Sequence, residues 1–198
     1  MIVAPYAKTP RKVAIEMLKL AKVTSNDVVY DLGCGDGEIV IVAAKFFGCK
    51  AIGVEIREDL IEKARKRILE ENVADKVNII HGDLFTVNLS EATVITLYLL
   101  TKVHELLKSK FKRELKNGTR IVTHMGHIPG WEPIEVKTVN VNDYPHFIYL
   151  YIIGQSDISI RNVSGKLLAT LEEFASALDS VDGVIEVDET PLTILPVN

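Results

Sequence analysis

Residues 28–40 read Val28-Val29-Tyr30-Asp31-Leu32-Gly33-Cys34-Gly35-Asp36-Gly37-Glu38-Ile39-Val40. The β-branched and aromatic residues at 28–32 suit a buried strand, and three glycines at alternate positions separate it from a helical pattern. Strand, turn and helix are predicted in that order. Gly33, Gly35 and Gly37 permit backbone angles, and a closeness of ligand to main chain, that side chains would forbid. From Glu38 onward Ile39, Val40, Val42, Ala43, Ala44 and Phe46 are apolar on most faces, so this helix is expected to pack on a sheet with its N-terminus toward the turn. Its free N–H groups and positive end then face whatever the turn holds.

A glycine turn after a strand is also what an ordinary tight turn needs, so the surroundings must decide. The order here is Gly-x-Gly-x-Gly, not the Gly-x-Gly-x-x-Gly of dinucleotide folds, and Asp31 leads it. Ala51-Ile52-Gly53-Val54-Glu55 makes a second apolar strand ending in a carboxylate, where an acid can accept hydrogen bonds from a ribose. Val77-Asn78-Ile79-Ile80-His81 is a third, followed by Gly82-Asp83-Leu84-Phe85. Successive strands thus end in Asp31, Glu55 and Asp83, and ligands of open α/β sheets sit outside such carboxyl ends. Taken singly, each acid would read as a turn or a solvated residue, and Cys34 and His81 read as a small loop residue and a strand end.

This set resembles the class I S-adenosylmethionine-dependent methyltransferases over roughly residues 3–153, and within them it is most similar to the small archaeal protein lysine methyltransferases. The closer likeness rests on Pro5-Tyr6, Thr9-Pro10, Tyr30 to Gly37, Thr96-Leu97-Tyr98-Leu99-Leu100-Thr101, Gly118-Thr119-Arg120 and Gly130-Trp131. The resemblance implies an α/β, Rossmann-like sheet of seven mostly parallel strands closed by an antiparallel C-terminal hairpin, with S-adenosylmethionine as cofactor. It also implies that Asp31 and the backbone of Gly33, Cys34 and Gly35 meet the methionine part, Glu55 the ribose hydroxyls, and Asp83 with Leu84 the adenine edge. The N-terminal segment would fold over the methionine part and add Tyr6 and Thr9.

The remaining elements follow in order. Thr9 is expected to cap a helix with Pro10 at its first position. A charged amphipathic helix is predicted over about 57–71, a fourth strand at 94–97, a helix over about 102–115 ending in the Lys116–Thr119 turn, and a fifth strand at 120–124. Residues 134–141 and 147–153 read as a hairpin around the turn Asn142-Asp143-Tyr144-Pro145. The likeness stops at Gly154, which predicts a methyltransferase domain over 1–154 and a small α+β extension over 155–198, with a hairpin near 158–169, a helix opened by Thr170-x-x-Glu173, and strands near 184–187 and 192–195.

Bulk properties narrow the partners. A net charge of −4 offers no global field for nucleic-acid phosphate, and DNA is not indicated. Two cysteines make no disulfide framework, the N-terminus lacks a signal-peptide pattern, and no apolar run approaches the roughly 20 residues that span a membrane. A cytoplasmic protein is expected.

Acceptor chemistry is read from the segment after strand four. Thr96 to Leu100 places one aromatic hydroxyl, Tyr98, in an apolar setting and lacks the Asn/Asp-Pro-Pro-Tyr/Phe arrangement that holds planar nitrogens. Lysine fits: an apolar channel disfavours its ammonium without a dedicated base. Tyr98 is the candidate catalytic residue, by hydrogen bonding or positioning, with Phe85 and Trp131 as further channel walls or ordinary core. His124 and His127, three apart, lack an evident Cys, Asp or Glu partner, so no metal is assigned. The readings are a protein lysine N-methyltransferase, a small-molecule or RNA methyltransferase, or an inactive cofactor-binding protein.

Overall fold

The computed structural model describes residues 6–157. These lie in the first of the two units into which the chain divides, residues 1–159 and 160–198, so the elements predicted between 158 and 195 fall outside the described residues. Among the described residues there are seven strands: β1 Val28–Leu32, β2 Lys50–Glu55, β3 Val77–His81, β4 Val94–Leu97, β5 Arg120–His124, β6 Glu135–Val141 and β7 Tyr144–Ile152. They form one sheet in the order β3-β2-β1-β4-β5-β7-β6, with β1 to β5 parallel and β7 antiparallel to both neighbours. The expected architecture is therefore the one observed.

Alternate residues of the parallel strands enter two cores because the sheet is covered on both faces. Helices α1 (Arg11–Leu20), α2 (Glu38–Phe47) and α3 (Glu58–Glu70) join Val29, Ala51, Ile79, Val94 and Val122 in one cluster. Helix α4 (Thr101–Glu114) joins Tyr30, Leu32, Val54, Ile95, Leu97 and Ile121 in the other. Strand order reverses between β1 and β4, which opens a crevice at their carboxyl ends.

Three local expectations are corrected. Thr9 does not cap α1: Pro10 holds the cap position in an extended conformation, no side chain caps this end, and Thr9 is buried instead. The α4 helix ends at Leu115 in extended backbone, so the Lys116–Thr119 turn, with Gly118 at φ 89, leads into β5 rather than terminating the helix. The hairpin turn is only Asn142-Asp143, both at positive φ as a two-residue connection requires, so Tyr144 and Pro145 are already in β7. Pro145 is tolerated there because β5 pairs no further than His124 with Ile148, so no ladder on that side needs its missing N–H.

Asp27 ties the opposite, N-terminal ends of the strands. Its Oδ1 accepts from Thr93 Oγ1 at 2.7 Å and from Arg120, and its Oδ2 accepts from the Thr24 N–H at 2.8 Å. Burial alone would raise its pKa, but Thr93, Thr24 and Arg120 together hold it below the ordinary value. A depressed carboxylate stabilises above its unfolded pKa and loses that contribution as pH falls through the folded one. Asp27→Ala is expected to cost roughly 2–4 kcal/mol in urea unfolding at pH 7, since it leaves buried donors unpaired, and the difference should shrink toward pH 3.

Candidate functional site

A cleft open to solvent occupies the crevice. Tyr6, Thr9, Asp31, Gly33, Cys34, Gly35, Glu55, Asp83, Leu84 and Tyr98 all line it, so residues dispersed from 6 to 98 in sequence are brought to one place. Phe85 and Trp131 are not among its walls. Trp131 is buried between Phe111 and Tyr151, with ring centroids at 6.5 and 6.4 Å, and Phe85 packs against the same core. The channel-wall reading of both is thus replaced by core packing, and Trp131 is drawn there because the chain after β5 folds back over α4.

The glycine turn is held by its neighbours as much as by its own conformation. Gly35 has φ 55, and a Cβ there would fall 2.6 Å from Cε2 of Tyr6, so only glycine lets that ring lie on the loop. Partial burial and then Asp36 push the Tyr6 hydroxyl up to about 12. On β2, a Cβ at Gly53 would fall 2.5 Å from Cys34 Sγ, which shows the thiol seated on the strand. Burial raises the Cys34 pKa well above the thiol range, so the side chain is a packed thiol and not a nucleophile. Arg67 of α3 donates to the Asp36 carbonyl at 2.8 Å, pairs with the Asp36 carboxylate at 2.9 Å and also contacts Glu38. Glu38 meets Arg11 of α1 at 2.6 Å; burial would raise it, yet the two guanidiniums hold it below its usual value.

Three acids of the cleft are bonded differently. Asp31 Oδ1 accepts from Thr96 Oγ1 at 2.7 Å, a contact set by the β1–β4 register, and its other oxygen is left to the cleft. Burial, opposed by Thr96 and reinforced by Glu55 and Asp36, pushes Asp31 up to about 7. Glu55 is engaged on both oxygens: Oε2 accepts from Gly35 N–H at 2.9 Å, and Oε1 accepts from Ile56 and Arg57 N–H at 2.8 and 2.9 Å. A carboxylate offers about four acceptor positions, so one on Oε2 stays open to a ligand. Asp83 Oδ1 accepts from Phe85 N–H at 2.9 Å.

The residues fit a ligand that is cationic at one end and carries hydroxyls. Asp31 presents a buried carboxylate that a positive group would ionise, Glu55 an open acceptor, and the glycine turn exposes main chain. Among comparisons with known proteins, the model of the ANTKMT methyltransferase domain matches residues 31–135. The chain belongs to this methyltransferase family. Its methyl donor is accordingly S-adenosylmethionine.

The methyltransferase is 50% identical over 152 residues to a protein-lysine N-methyltransferase of Saccharolobus islandicus, spanning 76% of this chain and 94% of that one. It is 30% identical to the adenine nucleotide translocase lysine N-methyltransferase of Mus musculus over 67% of its own length but only 57% of the relative's. A solved structure described as an RNA methyltransferase from Salinibacter ruber in complex with S-adenosyl-L-homocysteine is 42% identical, with a TM-score of 0.71 over 78% of this chain and 97% of that one. No helix of the methyltransferase, among the described residues, is long and apolar enough to cross a membrane.

Some residues of the site carry no local signal in the sequence. Thr96 lies within a motif, but its bond to Asp31 follows from strand register that no local pattern reveals. Leu99 lies over Gly33, Arg57 and Leu60 line the cleft from the start of α3, and His146 meets His124 from β7. His124 and His127 do not act together: His124 Nε2 is 2.8 Å from His146 Nδ1, whereas His127 offers its carbonyl to His104 Nδ1 at 3.1 Å. Among the described residues no three His, Cys, Asp or Glu side chains gather as a metal site.

Proposed function

We propose that this methyltransferase modifies the side-chain amine of lysine in proteins, in the cytoplasm. The observation that carries the reading is the 50% identity with the S. islandicus enzyme across 94% of that chain. The two buried, unpaired cysteines suit a reducing compartment. In this reading residues 1–154 carry the activity and 155–198 form an extension.

Asp31 and the backbone of Gly33, Cys34 and Gly35 hold the methionine part, with Tyr6 and Thr9 closing over it from the N-terminal segment. Glu55 takes the ribose hydroxyls through Oε2, and Asp83 with Leu84 meets the adenine edge. When bound, S-adenosylmethionine supplies an electrophilic methyl on a sulfonium, which leaves as a thioether once the amine has formed its new N–C bond. The protein's own work is orientation and exclusion of water. Lysine must arrive as the neutral amine, which costs roughly 4–5 kcal/mol at pH 7 from a reference pKa of about 10.4. The partly buried Tyr98 and Leu99 surround it with apolar surface that disfavours the ammonium, and the displaced proton goes to solvent. Tyr98→Phe is expected to lower kcat by about tenfold if the hydroxyl aligns the amine, with cofactor affinity unchanged by titration calorimetry.

The 42% identical structure described as an RNA methyltransferase supports a second reading with RNA as acceptor, against which stands the net charge of −4. Incubation with tritiated cofactor and cell extract separates them. Label released by protease and recovered as methyl-lysine is the expected result. Label released by nuclease would establish RNA, and tight cofactor binding with no label would leave a binding protein.

A further inference from the structure

Tyr98 follows β4, and the β4–β5 register sets Leu97 beside Thr123, so Tyr98 and His124 are neighbours at adjacent strand ends. Their rings lie 3.9 Å apart between centroids at 42°. Opposite His124, β7 places Ile148, and two residues away on the same face stands His146. Three strands therefore present Tyr98, His124 and His146 in a row beginning in the cleft and ending at the partly exposed His146. His124 is wholly buried, its Nε2 is joined to His146 Nδ1 at 2.8 Å, and its Nδ1 has no hydrogen-bond partner among the described residues. An imidazole buried with one nitrogen orphaned is held by its single remaining bond and by its ring contacts.

We infer that His124 and His146 are positioning residues for methyl transfer: His146 orients the His124 ring, and that ring fixes Tyr98 against the acceptor amine. Burial and the neighbouring His146 push His124 down to about 4, so the ring behind Tyr98 is neutral and packs against it as an uncharged surface. The role of Tyr98 at the acceptor side rests on the lysine reading above; the ring arrangement does not.

The test uses the full chain with His146→Ala and His146→Asn, because the asparagine amide can occupy the place of Nδ1 and keep the bond to His124. A side chain displaced by about 1 Å can cost up to 100-fold in rate, so His146→Ala should lower kcat about tenfold or more with cofactor Kd unchanged, and His146→Asn should restore most of it. In a Tyr98→Ala background His146→Ala should add no further loss. The Tyr98 ring resonances, identified by their absence in Tyr98→Phe, should move in His146→Ala and return in His146→Asn. Unmoved resonances, an unchanged kcat, or losses that add with Tyr98→Ala would overturn the inference. Nuclease-sensitive label would overturn the lysine reading alone, since the resonances and the rescue of RNA methylation would still judge the positioning role.

Discussion

Asp31→Asn is expected to weaken S-adenosylmethionine binding by about 30-fold or more while making the unliganded protein more stable at pH 8. Burial is the main reason the Asp31 carboxyl is raised from 3.8 to about 7, with Glu55 and Asp36 adding to it and Thr96 opposing. A folded pKa above the unfolded one means that the native state holds more protons between those values, so stability falls as pH rises from about 4 to about 7 and levels beyond. Across that window the penalty approaches about 4 kcal/mol at 1.36 per unit. Asparagine keeps an oxygen for Thr96 and carries no charge, so it escapes the penalty. Urea unfolding should show the variant and parent close together near pH 3 and the variant increasingly ahead from there to pH 8. Calorimetry should show the opposite for the cofactor: removing one partner of a buried charge pair costs about 2–5 kcal/mol. The parent should also release protons on binding below pH 7, because a cationic ligand favours the ionised acid, and its affinity should rise with pH through that range. Equal cofactor affinity in parent and variant would remove Asp31 from the binding site.

Glu55→Gln should be almost as damaging to cofactor affinity as Glu55→Ala. The parent carboxylate accepts three backbone N–H bonds, joining the glycine turn at Gly35 to the start of the next loop at Ile56 and Arg57. Glutamine has one oxygen. Whichever way its amide turns, the NH₂ faces a backbone donor, so one side of the bridge opens and leaves buried N–H unpaired. A loss of about 2–4 kcal/mol in binding, or roughly 30- to 1000-fold, is expected for both variants by calorimetry, with unfolding stability reduced as well. An aspartate at this position is too short to span both loops and should not rescue. Tight binding by Glu55→Gln would mean that the carboxylate serves the ribose alone and not the shape of the turn.

What could be read from residue order alone was whatever repeats locally. Strand β1, the glycine turn and α2 follow from the β-branched and aromatic run, the backbone freedom of the three glycines and the apolar helical pattern after them, and three acids at strand ends located the cleft before any contact was known. All ten predicted site residues line it. Thr9 lines the cleft but does not cap α1, since the cap position is taken by Pro10.

The tertiary structure decided what depends on register and on which face a side chain meets. The bond from Thr96 to Asp31 exists because β4 pairs with β1 across more than sixty intervening residues, the removal of Trp131 from the cleft follows from the chain folding back on α4, and the Tyr98–His124–His146 row needs three strands aligned. Periodicity encodes the conformation of a segment because its neighbours in sequence are its neighbours in space. Pairings between distant segments are chosen by the packing of the whole sheet, and no single stretch carries them.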